Sequence, residues 1–112
     1  RLNGEVLGTT ADPFYGAPVI IVVVAARSRN TYVYDGSLVI GNMLNAAHAM
    51  GLGACWIHRA KEVFASPRGK ELLAQWGITE DVEGIGHVAL GYAATEPKPA
   101  KPRKDGYVRV IE

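Results

Sequence analysis

Lys101 and Arg103 stand in the segment Pro97-Lys98-Pro99-Ala100-Lys101-Pro102-Arg103-Lys104, where four cations are set among three prolines. Proline fixes its own φ and biases the residue before it toward extended backbone, so cations on such a connector point in set directions. That geometry suits an anion; a solvated basic linker is the plain alternative. His58 is the second candidate, because it follows the apolar run Ala54-Cys55-Trp56-Ile57 where a strand empties into a polar loop, a frequent location for groups that touch a ligand. Cys55 does not form a nucleophile–base pair with His58: residues three apart on a strand face opposite sides, and Cys55 reads as a small core residue. Among the carboxylates, Asp35 reads as a helix cap and Glu80, Asp81 and Glu83 as a polar turn. Gly51 and Gly53 fit neither GxGxxG nor GxxxxGK[ST], so a Rossmann or P-loop phosphate cradle is not expected. The sequence offers no catalytic constellation and no metal-ligand spacing.

Composition narrows the field. A chain of 112 residues, 48% hydrophobic, can build one small core. Twelve Lys+Arg against eleven Asp+Glu leave a net charge of +1, so no global field draws nucleic acid or a membrane surface, and any anion site must be local. The single cysteine excludes an internal disulfide framework and fits a cytoplasmic protein. The apolar runs are too short to span a bilayer, and no signal peptide is expected. The chain opens on Arg1 rather than Met, and its first strong strand arrives only near Ala17, which reads as the continuation of something begun earlier.

The elements that must position these residues emerge from the pattern. Ala17 to Ala26 is a near-continuous β-branched run and predicts a central strand covered on both faces. Asp35-Gly36-Ser37 supplies cap-competent side chains before a helix over Leu38 to Met50, stopped by Gly51 and Gly53. That helix is apolar around most of its circumference and is expected to be buried; Asn42, Asn45 and His48 form one drifting polar stripe that fits helix packing or a subunit seam. Ala54 to Ile57 reads as a short buried strand. Ser66 and Pro67 read as cap and first residue of a further helix, with Leu72, Leu73 and Trp76 inward and Gly77 as its stop. Ile85 to Tyr92 is another strand, and Tyr107 to Ile111 a terminal one on a sheet edge. Three or four strands and three helices in mixed order predict an α+β domain with helices on both faces of its sheet, needing more layers than this length provides. A preceding segment or a second subunit is expected to complete the core.

Taken together, Phe14-Tyr15-Gly16-Ala17-Pro18 before a buried strand, Asp35-Gly36-Ser37 with Asn42-Met43-Leu44 and Ala46-Ala47, Gly51-Leu52-Gly53-Ala54-Cys55-Trp56-Ile57, Val88-Ala89-Leu90-Gly91-Tyr92 and Lys101-Pro102-Arg103 closely resemble the C-terminal part of the nitroreductase family of flavoproteins. The resemblance runs from about Asp12 to Arg109. It implies an α+β fold with a mixed, mostly antiparallel sheet flanked by helices and completed by dimerisation. It also implies a homodimeric FMN enzyme that takes hydride from NADH or NADPH and reduces nitroaromatics, quinones or similar small acceptors by a ping-pong route. By the same resemblance, the loop of Trp56, Ile57, His58 and Arg59 lies along the isoalloxazine ring, Lys101 and Arg103 hold the FMN phosphate, and the terminal strand crosses to the other subunit. A flavin asks for a flat apolar wall, backbone donors and fixed cations, while the redox chemistry belongs to the cofactor, which accounts for the lack of an acid–base constellation.

The sequence also departs from the family. The opening basic motif of Arg and Ser and the later Asn near the ring have no counterpart, so residues 1–112 read as a single domain without the N-terminal third of a typical subunit. His58-Arg59 stands where many relatives carry a small or acidic residue followed by Gly. Two functions are therefore open at this stage: an FMN-dependent oxidoreductase, or a non-catalytic dimerising module of the same fold without flavin.

Overall fold

The computed structural model describes residues 2–112. Its elements run α1 (Leu2–Leu7), β1 (Val19–Ala26), α2 (Tyr32–Ala49), β2 (Gly53–Ile57), α3 (Ala60–Ala65), α4 (Pro67–Gln75) and β3 (Val82–Gly91). The strands form one antiparallel sheet in the order β1-β3-β2. β3, not β1, is therefore the central strand within the described residues. The unbroken apolarity of β1 reflects helices over both faces of the sheet rather than strands on both of its edges.

Strand alternation sorts the core into two layers. Val23 and Val88 meet Ile40 of α2, with Ile21, Met43, Leu44 and Ile85 packed around them. Val22 and Val24 turn the other way, toward Ala60, Val63 and Phe64 of α3 and Leu73 of α4. Helices thus cover both faces, as the composition of β1 requires.

A bulge in β3 lets one strand serve both layers. Val23 pairs with Gly86 and Val24 with Gly84, leaving Ile85 as the extra residue. Gly84 then lies beneath the Ala60 carbonyl of α3, while a Cβ on Gly86 would stand 2.7 Å from Ile40 Cδ1 and 2.8 Å from Trp56 Nε1. The missing side chains bring α3 onto one face and admit the Trp56 indole on the other.

Several local expectations change. Helix α2 begins at Tyr32, so Asp35 lies inside its first turn, where its carboxylate accepts from Thr31 Oγ1 at 2.9 Å. A carboxylate there favours the positive end of the helix dipole, which is why a cap-like residue type is found within the helix. Only Gly36, Ile40 and Ala47 of α2 are buried; Leu38 is 70% and Val39 44% exposed, so the helix is covered by this chain on one side only. β2 is an edge strand, and Cys55 is exposed rather than in the core. Glu83 lies in β3, not in a turn. Its side chain is 6% exposed and bridges Arg27 at 2.9 Å and Lys61 at 3.4 Å, which explains how a carboxylate is buried there.

The Ser66 cap is as expected: its Oγ accepts from Gly69 N at 3.1 Å and donates to Val63 O at 2.6 Å, joining the end of α3 to the start of α4, with Pro67 in the first turn. Leu73 faces inward, but Trp76 is 52% exposed at the helix end. Beyond Tyr92 the chain has no regular structure, and Tyr107 to Ile111 forms no strand with its own sheet. The radius of gyration is 16.5 Å, against about 13 Å for a compact chain of this length, because this tail reaches away from the body.

Candidate functional site

Where β2 ends and α3 begins, the backbone makes an abrupt turn. Trp56 and Ile57 are the last residues of β2, His58 and Arg59 form the connection, and α3 starts at Ala60. Their side chains part along the strand. The Trp56 indole rests on the α2 side against Gly86 and tilts toward the His58 ring at 5.4 Å, whereas Ile57 is buried on the opposite side. Arg59 has φ of 78°, a left-handed conformation unfavourable for a side chain with a Cβ. Its guanidinium pairs with Glu62 one turn on at 3.1 Å. The Glu62 backbone N–H, and after it the Arg59 guanidinium, hold the Glu62 carboxyl below its usual pKa.

Facing this turn is the loop after α1. Asp12 accepts from Phe14 N at 3.0 Å through Oδ1 and from Gly16 N at 2.6 Å through Oδ2, and these bonds lower its pKa below the usual carboxylate value. The tight turn this produces holds Tyr15 at φ 56° and Gly16 at φ 70°. Among the described residues, Tyr15 and Arg59 are the two non-glycine residues with positive φ, and both line one open cleft of about 400 Å³ with Trp56, Ile57, His58 and Asp12. Strained backbone on two sides of one cleft marks it as the candidate site.

The structure brings Trp56, Ile57, His58 and Arg59 together on this cleft, while Lys101 and Arg103 lie in the tail and are not among its walls. Both cations are exposed, and neither forms an ion pair among the described residues, so their charge is available to a ligand. Asp12, Tyr15 and His87 are additional residues at or behind the site. The spacing Asp12-Pro13-Phe14-Tyr15-Gly16 carries the turn signal of an aspartate followed by a glycine, and a lone His within the apolar β3 run is the signal for His87.

His87 stands behind the turn. It is 2% exposed, pairs across the sheet with Val22 and Ile57, and lies edge-on to Phe14 at 5.2 Å and tilted to Phe64 at 6.0 Å. Burial lowers its pKa below the ordinary 6.5; hydrogen bonding to the Ile57 and His58 backbone opposes this, and the His58 ring adds a small further lowering. This fixes the sign of a stability effect. The unfolded ring takes up its proton near pH 6.5 and the folded ring only at lower pH, so the full stability holds above about 6.5 and is lost as pH falls below it. The melting temperature should therefore drop between pH 7.5 and pH 5, and drop less in a His87→Gln variant. An equal drop in both proteins would count against this account.

One long helix on one face of an antiparallel sheet, a short helical pair on the other and a strained cleft at the end of an edge strand define an α+β domain with a ligand-sized recess. The chain belongs to the Nitroreductase family, whose model matches residues 6–92. Among solved structures it is similar to an FMN-bound nitroreductase from Bacteroides fragilis, at 25% identity and a TM-score of 0.84, covering 99% of this chain and 68% of that one. An FMN-bound nitroreductase from Desulfitobacterium hafniense is 26% identical at a TM-score of 0.76, covering 96% of this chain and 58% of that one. An FMN-dependent nitroreductase from Clostridium difficile, 21% identical at a TM-score of 0.77 over 96% of this chain and 67% of that one, shares the fold. The chain thus spans about 58% to 68% of the length of these relatives. No curated protein matches the sequence. Among the described residues, no group of His, Cys, Asp or Glu could hold a metal ion, and no helix is long and apolar enough to cross a membrane.

Proposed function

We propose that this chain is part of an FMN-dependent oxidoreductase that passes electrons from NADH or NADPH to nitroaromatic, quinone or similar acceptors. The observation that carries the reading is the strained cleft at Trp56 to Arg59 in a chain of the Nitroreductase family. The residues present fit the cofactor. The turn offers a backbone edge beside an apolar wall, and Lys101 and Arg103 offer two unpaired cations on a proline-stiffened segment for a phosphate dianion. Bound flavin supplies the acceptance of a hydride from the nicotinamide and its delivery to the second substrate. The protein's part is to bind and orient: Ile57 and the backbone through Arg59 present the wall, and His58 and Tyr15 shape the side on which a second molecule would enter.

The same reading makes the active form a cytoplasmic homodimer. The outer side of α2 leaves Tyr34 71% and Leu38 70% exposed, and the tail leaves Val108 82% and Ile111 93% exposed, more apolar surface than a solitary domain of this size usually shows. A second copy, with the tail laid as a strand on its sheet, would cover both surfaces.

Two measurements test the proposal. Purified protein should be yellow, with flavin absorbance that survives desalting and is bleached by NADH or NADPH under anaerobic conditions; colourless protein that retains no flavin absorbance after incubation with FMN and desalting would end the reading. Sedimentation should show a dimer at micromolar concentration, and a well-folded monomer would remove the subunit part of it.

A further inference from the structure

Arg59 keeps a side chain where glycine would fit at less cost. Its φ of 78° puts the backbone in the left-handed region, which a residue with a Cβ enters only under constraint from its surroundings. Within the chain the guanidinium pairs with Glu62 at 3.1 Å, an i,i+3 pair whose side chains are 49% and 42% exposed. A pair so open to water contributes little to stability, so it does not account for a cation at this position. The cleft supplies the missing reason. Among the described residues that line it, Arg59 carries the one permanent positive charge. The facing carboxylate, Asp12, directs Oδ1 to Phe14 N and Oδ2 to Gly16 N, so much of its negative charge is met within its own loop. Glu62 lies on α3, outside the cleft walls.

From this arrangement we propose that Arg59 is a specificity-determining residue: its guanidinium selects acceptors that carry a carboxylate over neutral acceptors of the same shape. The inference rests on the proposed function and narrows its acceptor class. Glu62 is the resting partner that keeps the guanidinium at the edge of the cleft until an anion arrives. Exchanging one carboxylate for the other costs little, because the Glu62 contact is a single exposed bond. A ligand carboxylate seated between Trp56 and the Asp12 loop is partly shielded from water and can take two parallel N–H bonds from the guanidinium fork. Trp56 and Tyr15 in the same walls suit the flat ring of such an acceptor. A neutral group in that place leaves the cation with Glu62 and gains no charge-assisted bond.

The test uses 4-nitrobenzoate and the neutral, similarly shaped 4-nitrobenzamide as probes on FMN-loaded protein, comparing the parent with Arg59→Gln, Arg59→Lys and Arg59→Gly. Without NADH or NADPH, the flavin's visible band reports equilibrium binding of each probe; with the reductant present, kcat/KM reports selection during turnover. Comparing the benzoate-to-benzamide ratio between proteins cancels the difference in reducibility of the two probes. That ratio should fall roughly tenfold in Arg59→Gln and Arg59→Gly, in binding and in kcat/KM alike, and most of it should survive in Arg59→Lys. Arg59→Gly controls for a structural role: glycine relaxes the left-handed turn, so its melting temperature should hold or rise while the selectivity is lost. An unchanged ratio in the Gln and Gly variants would overturn the proposal, and if FMN retention fell instead, Arg59 would be a ligand of the FMN phosphate. Selectivity lost only in step with the melting temperature would overturn it as well. Should the parent protein fail to retain FMN, the functional reading fails by itself. Titration of both probes into flavin-free protein, followed through the amide shifts of His58 to Ala60, then decides the charge selection: a preference for 4-nitrobenzoate that Arg59→Gln removes is expected, and no preference would overturn it.

Discussion

Replacing Lys101 and Arg103 together by alanine is expected to weaken FMN retention by roughly 2 to 4 kcal/mol, or about 30- to 900-fold in Kd. Charge-assisted hydrogen bonds to a phosphate are the strongest this chain could offer, and the prolines at positions 99 and 102 reduce the entropy lost when the two side chains are held for binding. Both cations are exposed and have no internal ion-pair partner among the described residues, so removing them should leave thermal stability of the flavin-free protein within about 0.5 kcal/mol. That separation makes the experiment clean: fluorescence titration reads binding, and a melting curve reads folding. Arg103→Lys should lose an intermediate amount, since it keeps the charge but not the planar fork that grips two phosphate oxygens. A double variant that holds flavin as tightly as the parent would show that the tail cations are only a solvated linker.

Legibility in the sequence tracks the range of the interactions involved. β1, α4 and its Ser66 cap are set by local signals, namely β-branching, a hydroxyl before a proline and a glycine at the stop, and they appear where those signals put them. The family resemblance is carried by short motifs around β1, α2, β2 and β3 and by Lys101-Pro102-Arg103 in the tail, and the family match over residues 6–92 covers all of them but the last. Long-range pairing is less legible. Nothing in the composition of β1 says that β3 will sit at the centre, or that a bulge at Ile85 will turn Gly84 and Gly86 to opposite faces. Glu83 resembles a turn residue until Arg27 and Lys61 arrive from other elements to neutralise it. The start of α2 is hidden because Tyr32 to Tyr34 are weak helix formers, drawn into the helix by the longer run from Asp35 onward. At the site, the run from Trp56 to Arg59 is visible as a strand emptying into a loop. Arg59's left-handed backbone and the His87 ring behind it are not, since both depend on how three separated segments meet.

A large stability effect is expected from a small change, Gly84→Ala. A methyl group there would be driven into the Ala60 carbonyl, with Phe64 Cδ2 at 3.0 Å as a further obstacle. A flexible side-chain end can swing away from a new methyl, but a helix backbone cannot, so α3 would have to lift from the sheet as a unit. Ala60 is 0%, Val63 3% and Phe64 6% exposed, so lifting α3 opens the centre of one of the two core layers. Overpacking against backbone should cost about 3 kcal/mol, which lowers the melting temperature by roughly 12 to 24 °C in a domain of this size. Because α3 begins at the residue after Arg59, the same displacement moves the turn that lines the cleft, and flavin affinity should fall with stability rather than independently of it. This coupling distinguishes Gly84→Ala from the tail variants, in which binding changes and melting does not. A Gly84→Ala protein that melts with the parent would mean that α3 does not bear on β3 as closely as the structure places it.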